Sequence, residues 1–313
     1  MRSHAFSKFA ASVAIQICFW ASAWPAKAQP QEHLFGVTVC CPNKFVRVNL
    51  VSGEMEILNP LVGDASVFFS GGASAIDPEN DKFFVQVIQG TPPTMFIRTI
   101  DTRTGAYSDS ASVSDSLSGM EFDSISRKLV AVTGCCPNML VQVHPSSGVT
   151  EYVGEVGDMS VFFSLGGSAL DPFRGKYFLS IVKAPTMSAH IRVVDLPTGS
   201  FVDSPALSEQ PGILQFDTKK NRLIAVTRCC PNKLIVVDPV TGDITVAGEV
   251  ASASEALAPF PVINPIQRKL YLQMTRLDVP GHFLRMVNLE SGRFVNRQPL
   301  AESLIFMEFG AQK

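Results

Sequence analysis

The 313-residue sequence predicts an all-β fold: a six-bladed β-propeller of four-stranded antiparallel blades, closed by pairing the C-terminal strand with the N-terminal blade. Three observations predict it. The string Cys-Cys-Pro-Asn occurs three times, beginning at Cys40, Cys135 and Cys229, at intervals of 95 and 94 residues. A fixed long period is the signature of a repeat architecture. Each period holds two shorter units, in which an apolar run closes on a glycine turn. Gly53, Gly105, Gly148, Gly199, Gly242 and Gly292 mark six such units. The chain ends are complementary fragments. Leu304–Phe309 matches the first strand of a unit with nothing after it, and Leu34–Thr38 matches a second strand with nothing before it. Pairing the two closes the ring.

Within a unit the elements follow in order. Gly119–Asp123 forms a first strand, then a polar turn leads into Lys128–Thr133. After the Cys-Cys-Pro-Asn string come Leu140–Val143, the Gly148 turn and Val149–Val153. The runs are short, rich in Val, Ile, Leu and Phe, and bounded by turn residues, as strands are. Asp77-Pro78, Asp171-Pro172 and Asn264-Pro265 suit polar turn starts, where the side chain bonds nearby backbone. No segment after residue 28 shows a helical period.

Composition excludes several classes. A chain 46% hydrophobic and 17% charged is not disordered. A net charge of −2 gives no basic field for nucleic acid. Residues 1–28 read as a secretory signal peptide: Arg2 and Lys8, then apolar Phe9–Trp24, then the small-residue site Ala26-Lys27-Ala28. The domains are therefore the leader, 1–28, and the propeller, 29–313. Cleavage moves the formal charge from −2 to −5. No later stretch is long and apolar enough to span a bilayer. The expected location is secreted or periplasmic, where disulfides persist.

A Lys-Leu second strand followed by a third strand of the form V-x-V-[DN]-x-x-[ST]-G, as in Val193–Gly199, resembles bacterial YVTN- and NHL-type propellers. The resemblance covers the chain after the leader and implies the fold. Such propellers include binding proteins, lyases, lactonases and quinoproteins, so function has to come from the site.

In a propeller, loops joining second to third strands share a face with the connections between blades. The Cys-Cys-Pro-Asn loops are of the first kind. Val67–Gly72 and Val161–Gly167 are of the second. The expected binding face therefore gathers Cys40, Cys41, Asn43, Phe68, Phe69, Cys135, Cys136, Asn138, Phe162, Phe163, Cys229, Cys230, Asn232 and Glu255. Repeat alignment puts Glu255 and Ala256 where Phe68 and Phe69 stand, which breaks the threefold pattern. Loops of alternate blades lie too far apart for a disulfide, leaving a bridge within each doublet or free thiols. Adjacent Cα atoms are ~3.8 Å apart, so a bridge between neighbours is strained. Three readings stay open: a rigid turn closing a blade, an apolar contact surface for a protein or small-molecule ligand, and a soft-metal or redox site. Asn43, Asn138 and Asn232 are placed to cap the turns.

The sequence nominates no catalytic residue. It holds no Walker loop, no H-E-x-x-H and no G-x-S-x-G. His144 stands where the other units carry Asp or Asn and reads as a turn residue. First strands line the central channel, and Glu121, Gln215 and Glu308 fall at matching positions as a polar ring. Arg98, Arg192 and Arg285 match on third strands of alternate units, and pairing with the glutamates across blades would satisfy both. Gluconolactonase-type propellers place acidic and amide ligands round a central metal; here two carboxylates and one amide align. The first expectation is a monomeric, non-catalytic binding protein working through the Cys-Cys-Pro-Asn face without a resident cofactor. The alternatives are a lactonase- or lyase-like enzyme at Glu121 and Glu308, or a thiol-based soft-metal or redox protein. A soft metal or Ca2+ are the ions these groups would suit.

Overall fold

The computed structural model describes residues 31–312, except positions 40, 41, 65, 135, 229, 230 and 259. The leader and five doublet cysteines (Cys40, Cys41, Cys135, Cys229 and Cys230) lie outside the described residues. Blade one carries β1 (Gln31–Thr38), β2 (Asn43–Val48) and β3 (Met55–Gly63). Blade two is β4 (Val67–Asp77), β5 (Lys82–Gln89), β6 (Thr94–Asp101) and β7 (Tyr107–Val113). Blade three is β8 (Leu117–Asp123), β9 (Lys128–Thr133), β10 (Asn138–Val143) and β11 (Thr150–Gly157). Blade four is β12 (Val161–Asp171), β13 (Lys176–Lys183), β14 (Ser188–Asp195) and β15 (Phe201–Asp203). Blade five is β16 (Pro211–Asp217), β17 (Arg222–Thr227), β18 (Asn232–Val237) and β19 (Ile244–Ala251). Blade six splits its inner strand into β20 (Glu255–Leu257) and β21 (Val262–Asn264), both paired to β22 (Lys269–Arg276), followed by β23 (His282–Asn288) and β24 (Phe294–Leu300).

The last strand, β25 (Leu304–Gln312), returns to blade one and sets the order β25-β1-β2-β3. Its antiparallel register runs from Gln31↔Gln312 to Thr38↔Leu304. Gly36 permits this closure: a Cβ there would fall 2.8 Å from the Phe306 carbonyl oxygen. The expected six-bladed propeller, closed between its ends, is the observed fold.

The second strands are buried on both faces, as their near-continuous apolar runs require. The apolar side chains form six clusters, one at each junction between blades. Phe35, Phe45 and Phe83, for example, join blades one and two. The polar turn starts form as expected. Asp77 Oδ1 accepts the Glu79 amide at 3.1 Å, and Asn264 Oδ1 accepts the Ile266 and Gln267 amides at 2.9 Å. His144 is a turn residue, its Nδ1 3.2 Å from Ser146 Oγ.

Candidate functional site

The three Cys-Cys-Pro-Asn turns are held by one clasp, repeated. Each second strand ends in a buried threonine and each third strand begins with a buried asparagine. Asn43, Asn138 and Asn232 donate from Nδ2 to the carbonyls of Thr38, Thr133 and Thr227 at 2.8, 2.8 and 2.7 Å. In return each threonine Oγ1 accepts the amide one residue after the asparagine, at Lys44, Met139 and Lys233. The asparagines thus tie the second strand to the third at the base of each string. Among the described residues there is no disulfide, and Cys136 is the described doublet cysteine; it is exposed.

The aromatic pairs divide their labour. Phe68 and Phe162 are 67% and 53% exposed on the same rim. Phe69 and Phe163 turn inward onto the clusters between blades one and two and between blades three and four. Their rings lie so close to Gly63 and Gly157 that a Cβ there would fall 3.0 and 2.8 Å away. The third copy differs from the alignment expected from sequence. By strand register, Val67, Val161 and Glu255 face Gln89, Lys183 and Arg276. Glu255 therefore stands at the valine position, Ala256 at the exposed phenylalanine and Leu257 at the buried one. The physical reason is a one-residue-shorter bulge between β20 and β21, which sequence spacing does not locate. The swap is compensated: Leu257 replaces a phenylalanine where Ala251 replaces the glycine.

Arg98, Arg192 and Arg285 are 3%, 4% and 1% exposed, and each lies between two blades. Arg98 forks onto Asp109 at 2.7 and 2.6 Å, and Arg192 onto Asp203 at 2.7 and 2.7 Å. Each also donates Nη1 to a carbonyl of the preceding blade, Val62 and Val156. Tyr107, Phe201 and Phe294 cover the three guanidinium groups at 4.2, 3.8 and 4.0 Å. In blade six the aspartate is Asn296, which accepts from Arg285 Nε at 2.7 Å. The missing charge comes from Glu255, whose Oε1 accepts Nη2 at 2.6 Å and Oε2 accepts Nη1 at 3.0 Å. That ion pair holds the Glu255 carboxyl below its ordinary range. The arginines thus pair with Asp109, Asp203 and Glu255 within their own blades and bridge to neighbours through backbone, not through the channel glutamates. The signal was present in the sequence: an acid or amide eleven residues, and an aromatic nine residues, after each arginine.

The channel glutamates do come together. Glu121, Gln215 and Glu308 line one cavity of about 70 Å³ with Ser74, Ser168, Phe260 and Pro261. Ser74 donates to Glu308 at 2.9 Å and Ser168 to Glu121 at 3.2 Å. At the third position the serine is Pro261 and the acid is Gln215, whose Nε2 donates to the Pro261 carbonyl at 3.5 Å. The carboxyls keep some accessible surface because they face the cavity, yet protein surrounds them on all other sides. Burial pushes Glu308 up to about 7 against the opposing serine bond. Burial, then the Glu308 charge, raises Glu121 well above its usual range. Among the described residues no group of three or more His, Cys, Asp or Glu is placed to hold a metal.

These shifts set a pH dependence. A carboxyl raised in the folded state binds its proton more tightly there than in the unfolded chain, so its stabilisation is present at low pH and is lost as pH rises. Between pH 5 and 8 we expect stability to fall by about 1–3 kcal/mol through Glu308, with Glu121 acting in the same direction. His33, lowered chiefly by burial, acts with the opposite sign in the lower part of that range. The comparison is therefore urea denaturation of the native chain against Glu308→Gln at pH 5 and 8. The variant should show the weaker decline; equal declines would contradict the upward shift of Glu308.

No protein-family model and no curated protein matches the chain. Solved structures match its fold. A chain in the crystal structure of a nidogen/laminin complex aligns with a TM-score of 0.65 at 13% identity, covering 90% of this chain and 100% of that one. TolB from Acinetobacter baumannii aligns at 0.62 and 12%, covering 90% of this chain and 67% of that one. Oligogalacturonate lyase in complex with manganese aligns at 0.54 and 11%, covering 86% and 74%. At these identities the likeness is one of fold. The chain is a six-bladed β-propeller similar to these proteins in architecture.

Proposed function

We propose that this chain is a secreted or periplasmic, non-catalytic binding protein whose Cys-Cys-Pro-Asn rim contacts a protein partner. One observation carries the reading: the same buried Thr–Asn clasp ties the strand ends that flank all three strings, while Val39, Phe68, Met159, Phe162, Leu277 and Val279 stand exposed on that rim. Strand ends tied by a buried clasp lose little conformational entropy on association. Single exposed apolar residues are ordinary, but a set gathered on one face marks an interaction surface. A leader-like segment at 1–28 supports export. The nidogen/laminin match supports a propeller of this architecture serving within a protein complex.

The channel carries a second reading, favoured by its paired carboxyls. Its cavity of about 70 Å³ suits an ion or a few waters. A sugar or lactone ring would need side chains to move, which weighs against the lactonase or lyase form.

The test is side-specific capture from the source organism's exported fraction. The Phe68→Ser/Phe162→Ser variant should lose a partner, identified by mass spectrometry, that the native chain retains. Phe173→Ser, on an exposed residue of the opposite face, should retain it. A partner kept by the rim variant, or lost equally by Phe173→Ser, would refute the reading.

A further inference from the structure

The copy-specific changes converge on one place. At the junction of blades five and six a pocket of about 430 Å³ opens on the Cys-Cys-Pro-Asn rim. Its apolar lining includes Ile213, Ala256, Leu257, Ala258 and Leu277. The room follows from the residue swaps: Ala256 and Leu257 stand where the other copies carry Phe68 and Phe69, or Phe162 and Phe163. The volume is within the usual range for small-molecule sites.

The pocket also has a charge the other copies lack. The residue after the clasp threonine is Val39 in the first copy, Gly134 in the second and Arg228 in the third. Arg228 lines the pocket, is exposed, and forms no ion pair among the described residues. The acid beside it does not offset it, because both Glu255 oxygens are engaged by Arg285. The pocket therefore presents an apolar floor and one uncompensated guanidinium at its rim, which suits an anionic headgroup.

We propose that this junction is a binding site for a small monoanionic amphiphile, a carboxylate or sulfonate on an apolar body. This goes beyond the partner reading and does not depend on it: it shares Leu277 with that rim but uses neither Phe68 nor Phe162. The probe is anilinonaphthalenesulfonate, titrated by fluorescence near neutral pH, with laurate and dodecanol as competitors. The native chain should bind one probe per chain saturably, displaced by laurate and not by dodecanol. Arg228→Ala should weaken binding about tenfold or more, the size of a lost charged hydrogen bond. Ala256→Phe, which restores the residue of the other copies, should weaken it at least as much. Phe173→Ser, on the opposite face, should leave it unchanged, and melting curves verify that each variant folds. Non-saturable binding overturns the site, and so does saturable binding that either Arg228→Ala or Ala256→Phe leaves intact. Displacement by dodecanol as readily as by laurate overturns the anion requirement. The capture experiment reads the opposite aromatics, so failure of one result is distinguishable from failure of the other.

Discussion

Deleting residues 304–313 is expected to abolish cooperative folding, because it removes the inner strand of a blade that the rest of the chain cannot supply. β25 pairs with β1 along its whole length. It brings Leu304, Phe306, Met307 and Phe309 into two junction clusters. Without it, β1 becomes an open edge with unpaired amides and carbonyls, and the ring is broken. The milder variant Phe306→Ala keeps the strand. Phe306 is fully buried, 6.1 Å from the Phe69 ring and 5.3 Å from the Phe260 ring. Its truncation should cost about 3–5 kcal/mol in urea unfolding. A truncated chain that still unfolds in one sharp transition would contradict closure by this strand.

The fold could be read from the sequence because every blade repeats the same apolar runs and turns. Leu304–Phe309 and Leu34–Thr38 are halves of a pattern seen whole elsewhere. The channel ring could be read for the same reason: Glu121, Gln215 and Glu308 face Val130, Ile224 and Phe35, equivalent second-strand residues. The site was harder. Repeat alignment sets Glu255 one position out of register because the missing residue falls inside a bulge, where side-chain alternation is suspended. The counter-ions Asp109 and Asp203 are hard to read from sequence because they lie on the outermost strands, where a charged residue reads as solvated surface. That Phe68 faces solvent and Phe69 the core follows from their alternation along β4, but which of the two does so depends on the register.

The rewired ion pair of blade six makes the second large prediction. Glu255→Val places the residue of the other two copies beside a guanidinium that is 1% exposed. Arg285 would keep Asn296, the Val250 carbonyl and the Phe294 ring, but no negative charge. Removing one partner of a buried pair typically costs about 3–5 kcal/mol, and we expect a loss at the lower end because those contacts remain. Asn296→Asp should restore most of it, since Asp109 and Asp203 hold the equivalent arginines by the same fork. The two changes are therefore expected to be strongly non-additive.

This coupling links stability to the proposed site, because the residues that place the counter-ion on the inner strand accompany those that leave room for the pocket. The most direct test is to revert the third junction to the pattern of the others with Glu255→Val, Ala256→Phe and Asn296→Asp together. Urea unfolding and anilinonaphthalenesulfonate titration are then measured on the same preparation. The account predicts a folded protein within about 1 kcal/mol of native stability that no longer binds the probe. A reverted chain that is severely destabilised, or that binds the probe as the native chain does, would contradict it.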